Sequence, residues 1–207
     1  MENVFGFIFV GNINKKGDKM GQDIEIFAKK VKGFKSVYLA GGIQHRARPD
    51  GWRQMLTEFF EKYKIEIFNP VKDNANIFNP SVMGYKEDGT PYTLDELQTV
   101  DEAKEGLLLK QTEENDIHYM NKADLIIFYL DDSAGFGTYT EFRENYDTIK
   151  KPFIIVRTKA IKDLPHWIKW RRYDALIKEN RAVEFKSLSD LKDYYKKYLK
   201  ETPKEKE

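Results

Sequence analysis

Short apolar runs alternate with amphipathic stretches along the chain. Val4 to Val10 reads as a strand, Gly11 to Gly21 as a polar turn, and Gln22 to Val31 as a helix with Ile24, Phe27 and Val31 on one face. Ser36-Val37-Tyr38-Leu39-Ala40 reads as a strand ending at Gly41-Gly42, Trp52 to Tyr63 as an amphipathic helix, and Ile65-Glu66-Ile67-Phe68 as a strand closed by Asn69-Pro70. Those three elements make a βαβ unit. From Lys72 to Gln98 the periodicity stops and Asn-Pro, Asp-Gly and Thr-Pro pairs take over, which predicts a long loop over one end of the sheet, of the length of a lid. A helix over 97–121 then leads into the strand Ala123-Asp124-Leu125-Ile126-Ile127-Phe128-Tyr129-Leu130. A helix reaching Ile149, a strand from Pro152 to Val156 and a tail helix over 188–199 complete the pattern.

This order predicts an α/β fold of the doubly wound kind, a flavodoxin- or Rossmann-like parallel sheet sandwiched by helices in a single domain. The continuous apolar strands suit a parallel sheet buried on both faces, with ligands taken at the strand carboxyl ends. The main domain is expected over 36–200, with a strand and helix added at 1–35, the lid at 72–98 and a charged tail at 201–207. With 207 residues, 41% of them hydrophobic, the chain is long enough to bury a full core in one compact body. Lys and Arg number 35 against 34 Asp and Glu, so no net field favours a nucleic-acid polymer or an anionic membrane as partner. Zero cysteines exclude disulfides and thiolate chemistry, and His45, His118 and His166 lack metal-ligand spacing, so no metal is expected. The apolar stretch near the amino terminus is too short to span a bilayer, and a cytoplasmic protein is expected.

The candidate chemistry lies in three places near strand ends. After the 123–130 strand, Asp131-Asp132-Ser133-Ala134-Gly135-Phe136-Gly137-Thr138-Tyr139-Thr140-Glu141 delivers a carboxylate through small residues into a helix. Gly135 and Gly137 allow a tight turn and close approach of a ligand, and Thr138 can cap a helix that carries Glu141 in its first turn. That pair also reads as an ordinary capping box. Tyr38 places a phenol near the end of a buried strand, where it is either a core aromatic or a site group. Beyond Gly41-Gly42, Arg46 and Arg48 are either solvated charges or a bidentate grip on phosphate. Asp116 lies in the acidic run Glu113-Glu114-Asn115-Asp116 ahead of the 123–130 strand, and reads as a solvated face or as a third carboxylate. Carboxylates drawn together in a partly dry crevice have their pKa values pushed apart, which equips one as nucleophile and another as acid.

Taken in order, these motifs resemble the nucleoside 2-deoxyribosyltransferase family and its superfamily of nucleoside 5′-monophosphate N-glycosidases. The resemblance covers Val37 to Leu199. It rests on Tyr38-Leu39-Ala40-Gly41-Gly42, on Trp52-Arg53, on Phe68-Asn69-Pro70, on Asn115-Asp116 eight residues before Asp124, and on Gly137-Thr138-x-x-Glu141. It implies that Glu141 is a nucleophile forming a glycosyl-enzyme intermediate, that Tyr38 orients it, and that Asp116 supplies a proton to the leaving base. Gly41, Gly42, Arg46, Arg48, Asp132, Gly137 and Thr138 are implied to bind substrate, a nucleoside or nucleotide together with a free nucleobase. No cofactor is implied, and the family's habit of building sites between subunits implies a homodimer or larger homo-oligomer. Trp167, Trp170 and Tyr173 are candidates for that contact or for the chain's own core. Transfer to a second base, hydrolysis by water, and silent nucleotide binding all remain compatible with these residues.

Overall fold

The computed structural model of the chain describes residues 19–42, 51–73, 102–132 and 134–200. Within them the order is α1 (Lys19–Val31), β1 (Ser36–Gly41), α2 (Gly51–Glu61), β2 (Glu66–Phe68), α3 (Pro70–Asp73), α4 (Glu102–Lys122), β3 (Leu125–Leu130), α5 (Phe136–Glu144), β4 (Phe153–Arg157), α6 (His166–Ile177), β5 (Ala182–Phe185) and α7 (Leu188–Tyr194). Helices α5 and α7 each continue into a π-helical turn, Asn145–Ile149 and Tyr195–Leu199. The expected strand at 4–10, the Arg46 and Arg48 loop, nearly all of the 72–98 segment and the 201–207 tail lie outside the described residues.

All five strands run parallel in the order β2-β1-β3-β4-β5, so the sheet is doubly wound as the alternation predicts. The chain leaves β1 toward β2 and returns to the other side of β1 as β3. A sheet of this order opens a crevice between β1 and β3 at their carboxyl ends, where the helices on either side turn opposite ways. Two residues per pleat repeat divide the core into two layers. Val37, Leu39, Leu125, Ile127, Ile154 and Val156 face α1, α2 and α7. Tyr38, Ala40, Ile126, Phe128, Phe153 and Ile155 face α4, α5 and α6. Every residue of β1 is buried, which explains its unbroken apolar run. Phe27, Ala28 and Val31 of α1 pack into the same layer as the sheet.

Asp124 has a structural task. Its Oδ2 accepts from the backbone N–H groups of Lys35 at 2.8 Å and Ser36 at 3.0 Å, and Ser36 Oγ accepts the Asp124 N–H at 3.0 Å. The acid thus ties the entry of β3 to the entry of β1 and sets the register in which Tyr38 stands beside Ile126.

Three elements depart from the sequence pattern, α3, α6 and β5. Ala182-Val183-Glu184-Phe185 is too short and too charged to read as a strand, yet all four residues are buried. Glu184 is tolerated because Arg157 and Arg172 both donate to its carboxylate, Arg157 Nη2 at 2.9 Å and Arg172 Nη2 at 2.7 Å. Burial pushes Glu184 upward, but the hydrogen bonds and charges of the two arginines outweigh it and hold the carboxyl below its ordinary range. No helix among the described residues is long and apolar enough to cross a membrane.

Candidate active site

Tyr38 is the third residue of β1, paired with Phe68 in β2 and Ile126 in β3. Strand alternation turns its fully buried side chain toward α4 and α5. The Tyr38 O–H donates to Oε1 of Glu141 at 2.6 Å. Asp116, on α4, completes a trio, and its negative charge bears on both partners. All three sit inside regular elements, one in a strand and two in helices. Rigid elements hold such groups more closely than loops do.

The start of α5 corrects the expected Thr138 cap. Phe136 is its first residue and Gly135, extended at φ −108° and ψ −162°, is its N-cap, with no side-chain capping bond. Thr138 is therefore the third helical residue, buried and not a cap. Glu141 falls in the second turn rather than the first, too far along to close a capping box. Its carboxylate is consequently not tied to the helix backbone and reaches Tyr38. Gly137 stands four residues before Glu141 on the same helix face, and a Cβ there would meet nothing within 4 Å.

Burial first, and the Asp116 charge second, push the Glu141 carboxyl up to about 8. The Tyr38 hydrogen bond and the positive charge of Arg53 act in the opposite direction. Part of Glu141 reaches the surface, but the end that titrates is held against the buried phenol, and there desolvation is effective. Tyr38 is pushed well above its ordinary value, by burial and then by the two acids. Near neutrality such a site retains a proton among closely coupled groups.

Arg53, whose charge bears on Glu141, enters the sequence pattern only as part of a helix-opening motif. It is fully buried, and it donates to the carbonyls of Leu39 at 3.3 Å, Gly41 at 2.6 Å and Gly42 at 3.4 Å. Its guanidinium also lies over the Trp52 ring, 4.5 Å from the centroid. Pairing of β1 with β2 stops at Tyr38, and Arg53 takes the carbonyls beyond that point. The signal for it was a charged residue in the apolar stripe formed with Leu56 and Phe60. Gly41 is explained by packing: a Cβ there would lie 2.7 Å from Cζ2 of Trp52 and 3.2 Å from the Tyr129 carbonyl oxygen. Trp52 in turn stacks on Tyr129 at 4.8 Å.

Asp132 is exposed in the turn after β3, and among the described residues no hydrogen bond or ion pair joins it to Glu141. The acid whose charge bears on Glu141 is Asp116 instead. The three aromatic residues of α6 divide between their two readings. Trp167 packs edge-on against Tyr139 in the chain's own core, whereas Trp170 and Tyr173 are half-exposed.

No protein-family model matches the sequence, and no curated protein matches it. Among solved structures, a 2-deoxyribosyltransferase from the psychrotolerant bacterium Bacillus psychrosaccharolyticus aligns at 14% identity, covering 77% of this chain and 91% of its own, with a TM-score of 0.46. A conserved protein from Enterococcus faecalis V583 aligns at 16% identity over 80% of this chain and 99% of its own, with a TM-score of 0.43. Both are likenesses in the path of the chain, and the functional reading rests on the site itself.

Proposed function

We propose that this chain is an N-glycosyltransferase of the nucleoside 2-deoxyribosyltransferase kind, acting on (deoxy)nucleosides or their 5′-monophosphates. The observation that carries the proposal is the 2.6 Å hydrogen bond from Tyr38 to Glu141 beside Asp116, on the face of β1 that borders the crevice. A silent binding module has no use for a nucleophile, an orienting phenol and a second acid as a set.

In this reading an oxygen of ionised Glu141 forms a bond to the anomeric carbon as the bond from that carbon to the base nitrogen breaks. The electron pair leaves with the base, and a proton on Asp116 neutralises it. Burial and then the Asp116 charge raise the Glu141 carboxyl to about 8, so the proton that the two acids share must be on Asp116 for Glu141 to attack. Tyr38 and Arg53 favour the ionised form of Glu141. A second base then attacks the same carbon, displaces Glu141 as carboxylate and returns a proton to Asp116. Water in place of that base would make the enzyme an N-glycosidase. Assembly into a homo-oligomer belongs to the same proposal, with the exposed Trp170 and Tyr173 as its surface.

The test is incubation of purified protein and a Glu141→Ala variant with deoxynucleosides and their 5′-monophosphates, with and without a second free base, followed by chromatography. A new nucleoside formed only with acceptor means transfer. Free base released without acceptor means hydrolysis. No product across the panel, or full activity in the variant, defeats the reading.

A further inference from the structure

Asn69 closes β2 and opens α3, and only 2% of it is exposed. Its Oδ1 accepts the backbone N–H of Val71 at 3.1 Å, which satisfies one of the free donors at the start of α3. Its Nδ2 is buried and has no hydrogen-bond partner among the described residues. Aspartate or serine would make the same contact to Val71 without burying an amide donor. The unpartnered NH2 is therefore a burden on the folded chain that the helix start does not require.

Its place in the sheet gives the donor a use. Phe68, the preceding residue, pairs with Tyr38 across the β1–β2 ladder, so Asn69 stands at the carboxyl edge of the sheet, one residue beyond the partner of the phenol that holds Glu141. The Phe68 ring stacks at 5.0 Å on Tyr119, three residues after Asp116 on α4. Residues 68 and 69 are thus anchored to both elements that supply Tyr38 and Asp116. Neighbouring strands lie roughly 5 Å apart, so the backbone at Asn69 stands beside the carboxyl end of β1, at the edge of the crevice that the Tyr38–Glu141 pair borders.

We propose that Asn69 is a ligand-contacting residue of this site, its Nδ2 donating a hydrogen bond to a sugar or phosphate oxygen of the bound nucleoside or nucleotide. This rests on the nucleoside chemistry proposed above. The cap contact to Val71 fixes the amide, so the donor is oriented before the ligand arrives, and the ligand oxygen supplies the acceptor that the described residues lack.

The experiment compares wild type with Asn69→Ser, which keeps a capping oxygen and removes the donor, and with the isosteric Asn69→Asp as second variant. Steady-state kinetics and ligand-induced thermal shifts are measured with 2′-deoxyadenosine and 2′-deoxyadenosine 5′-monophosphate. Expected is a melting temperature at or above wild type without ligand, with kcat/KM lowered roughly tenfold or more, chiefly through KM, and the ligand-induced shift diminished. A loss confined to the monophosphate assigns the contact to phosphate, and a loss with both assigns it to the sugar. Wild-type kcat/KM and thermal shift in the variants overturn the proposal while leaving the glycosyl-transfer reading intact. If wild type turns over neither compound but is stabilised by one of them in an Asn69-dependent way, the contact stands and the transfer reading falls. If wild type neither turns over nor is stabilised, both fall.

Discussion

The O–H of Tyr38 donates to Oε1 of Glu141 across 103 residues of sequence, at 2.6 Å. Replacing Tyr38 by Phe keeps the buried ring and removes that donor, leaving the carboxylate less stabilised in its ionised form. The expected outcome is a ten- to hundredfold fall in kcat, roughly 1.4–3 kcal/mol of lost stabilisation. Circular dichroism of Tyr38→Phe should match wild type. Undiminished kcat in the variant would remove Tyr38 from the mechanism.

Glu141 carries a folded-state pKa of about 8 against an ordinary 4.5. The native state therefore holds the proton more tightly than the unfolded chain. Stability tied to that proton is intact below about pH 4.5 and is lost progressively up to about pH 8. Glu141→Gln stays uncharged throughout. In urea titrations it should match wild type near pH 4.5 and exceed it near pH 9, by on the order of 2 kcal/mol. A difference that does not change with pH contradicts the assignment.

Gly41 and Gly137 should answer alanine in opposite ways. At Gly41 the new methyl would meet Cζ2 of Trp52 at 2.7 Å, between packed rings and backbone, and about 1–3 kcal/mol of destabilisation is expected. At Gly137 the methyl meets nothing within 4 Å among the described residues, and alanine favours the helix by up to about 1 kcal/mol. Since position 137 is one turn from Glu141 on the same face, Gly137→Ala should raise the melting temperature while lowering kcat/KM. Equal activity in Gly137→Ala and wild type would show that the open space is not a ligand path.

Removing the carboxylate of Glu184 would leave Arg157 and Arg172 buried without their counterion. Glu184→Gln is expected to cost about 3–5 kcal/mol. Because the arginines hold Glu184 below its ordinary range, wild type keeps this stabilisation above that range and loses it as pH falls through the lowered folded-state value. Thermal melts of the two proteins should converge as the pH is lowered. Melting curves that stay equally separated at every pH would refute the coupling.

The resemblance of its motifs singled out Tyr38, Asp116 and Glu141 as a group, and by itself the sequence determined the alternation of strands and helices and the doubly wound class. Those features are local, because the two-residue and 3.6-residue periods record which faces are buried wherever the element ends up. Tertiary structure decided the rest. Whether Thr138 caps a helix depends on where α5 begins, and the N-cap at Gly135 sets that point three residues before the pattern's expectation. Ala182 to Phe185 became a strand only because Arg157 and Arg172 arrive from elsewhere to neutralise Glu184. Arg53 became part of the site because β2 stops at Phe68 and leaves the Leu39, Gly41 and Gly42 carbonyls to it. Which charges compensate one another, and which buried donors await an acceptor, depends on strand register and helix placement over distances of tens to a hundred residues, and no local period encodes those.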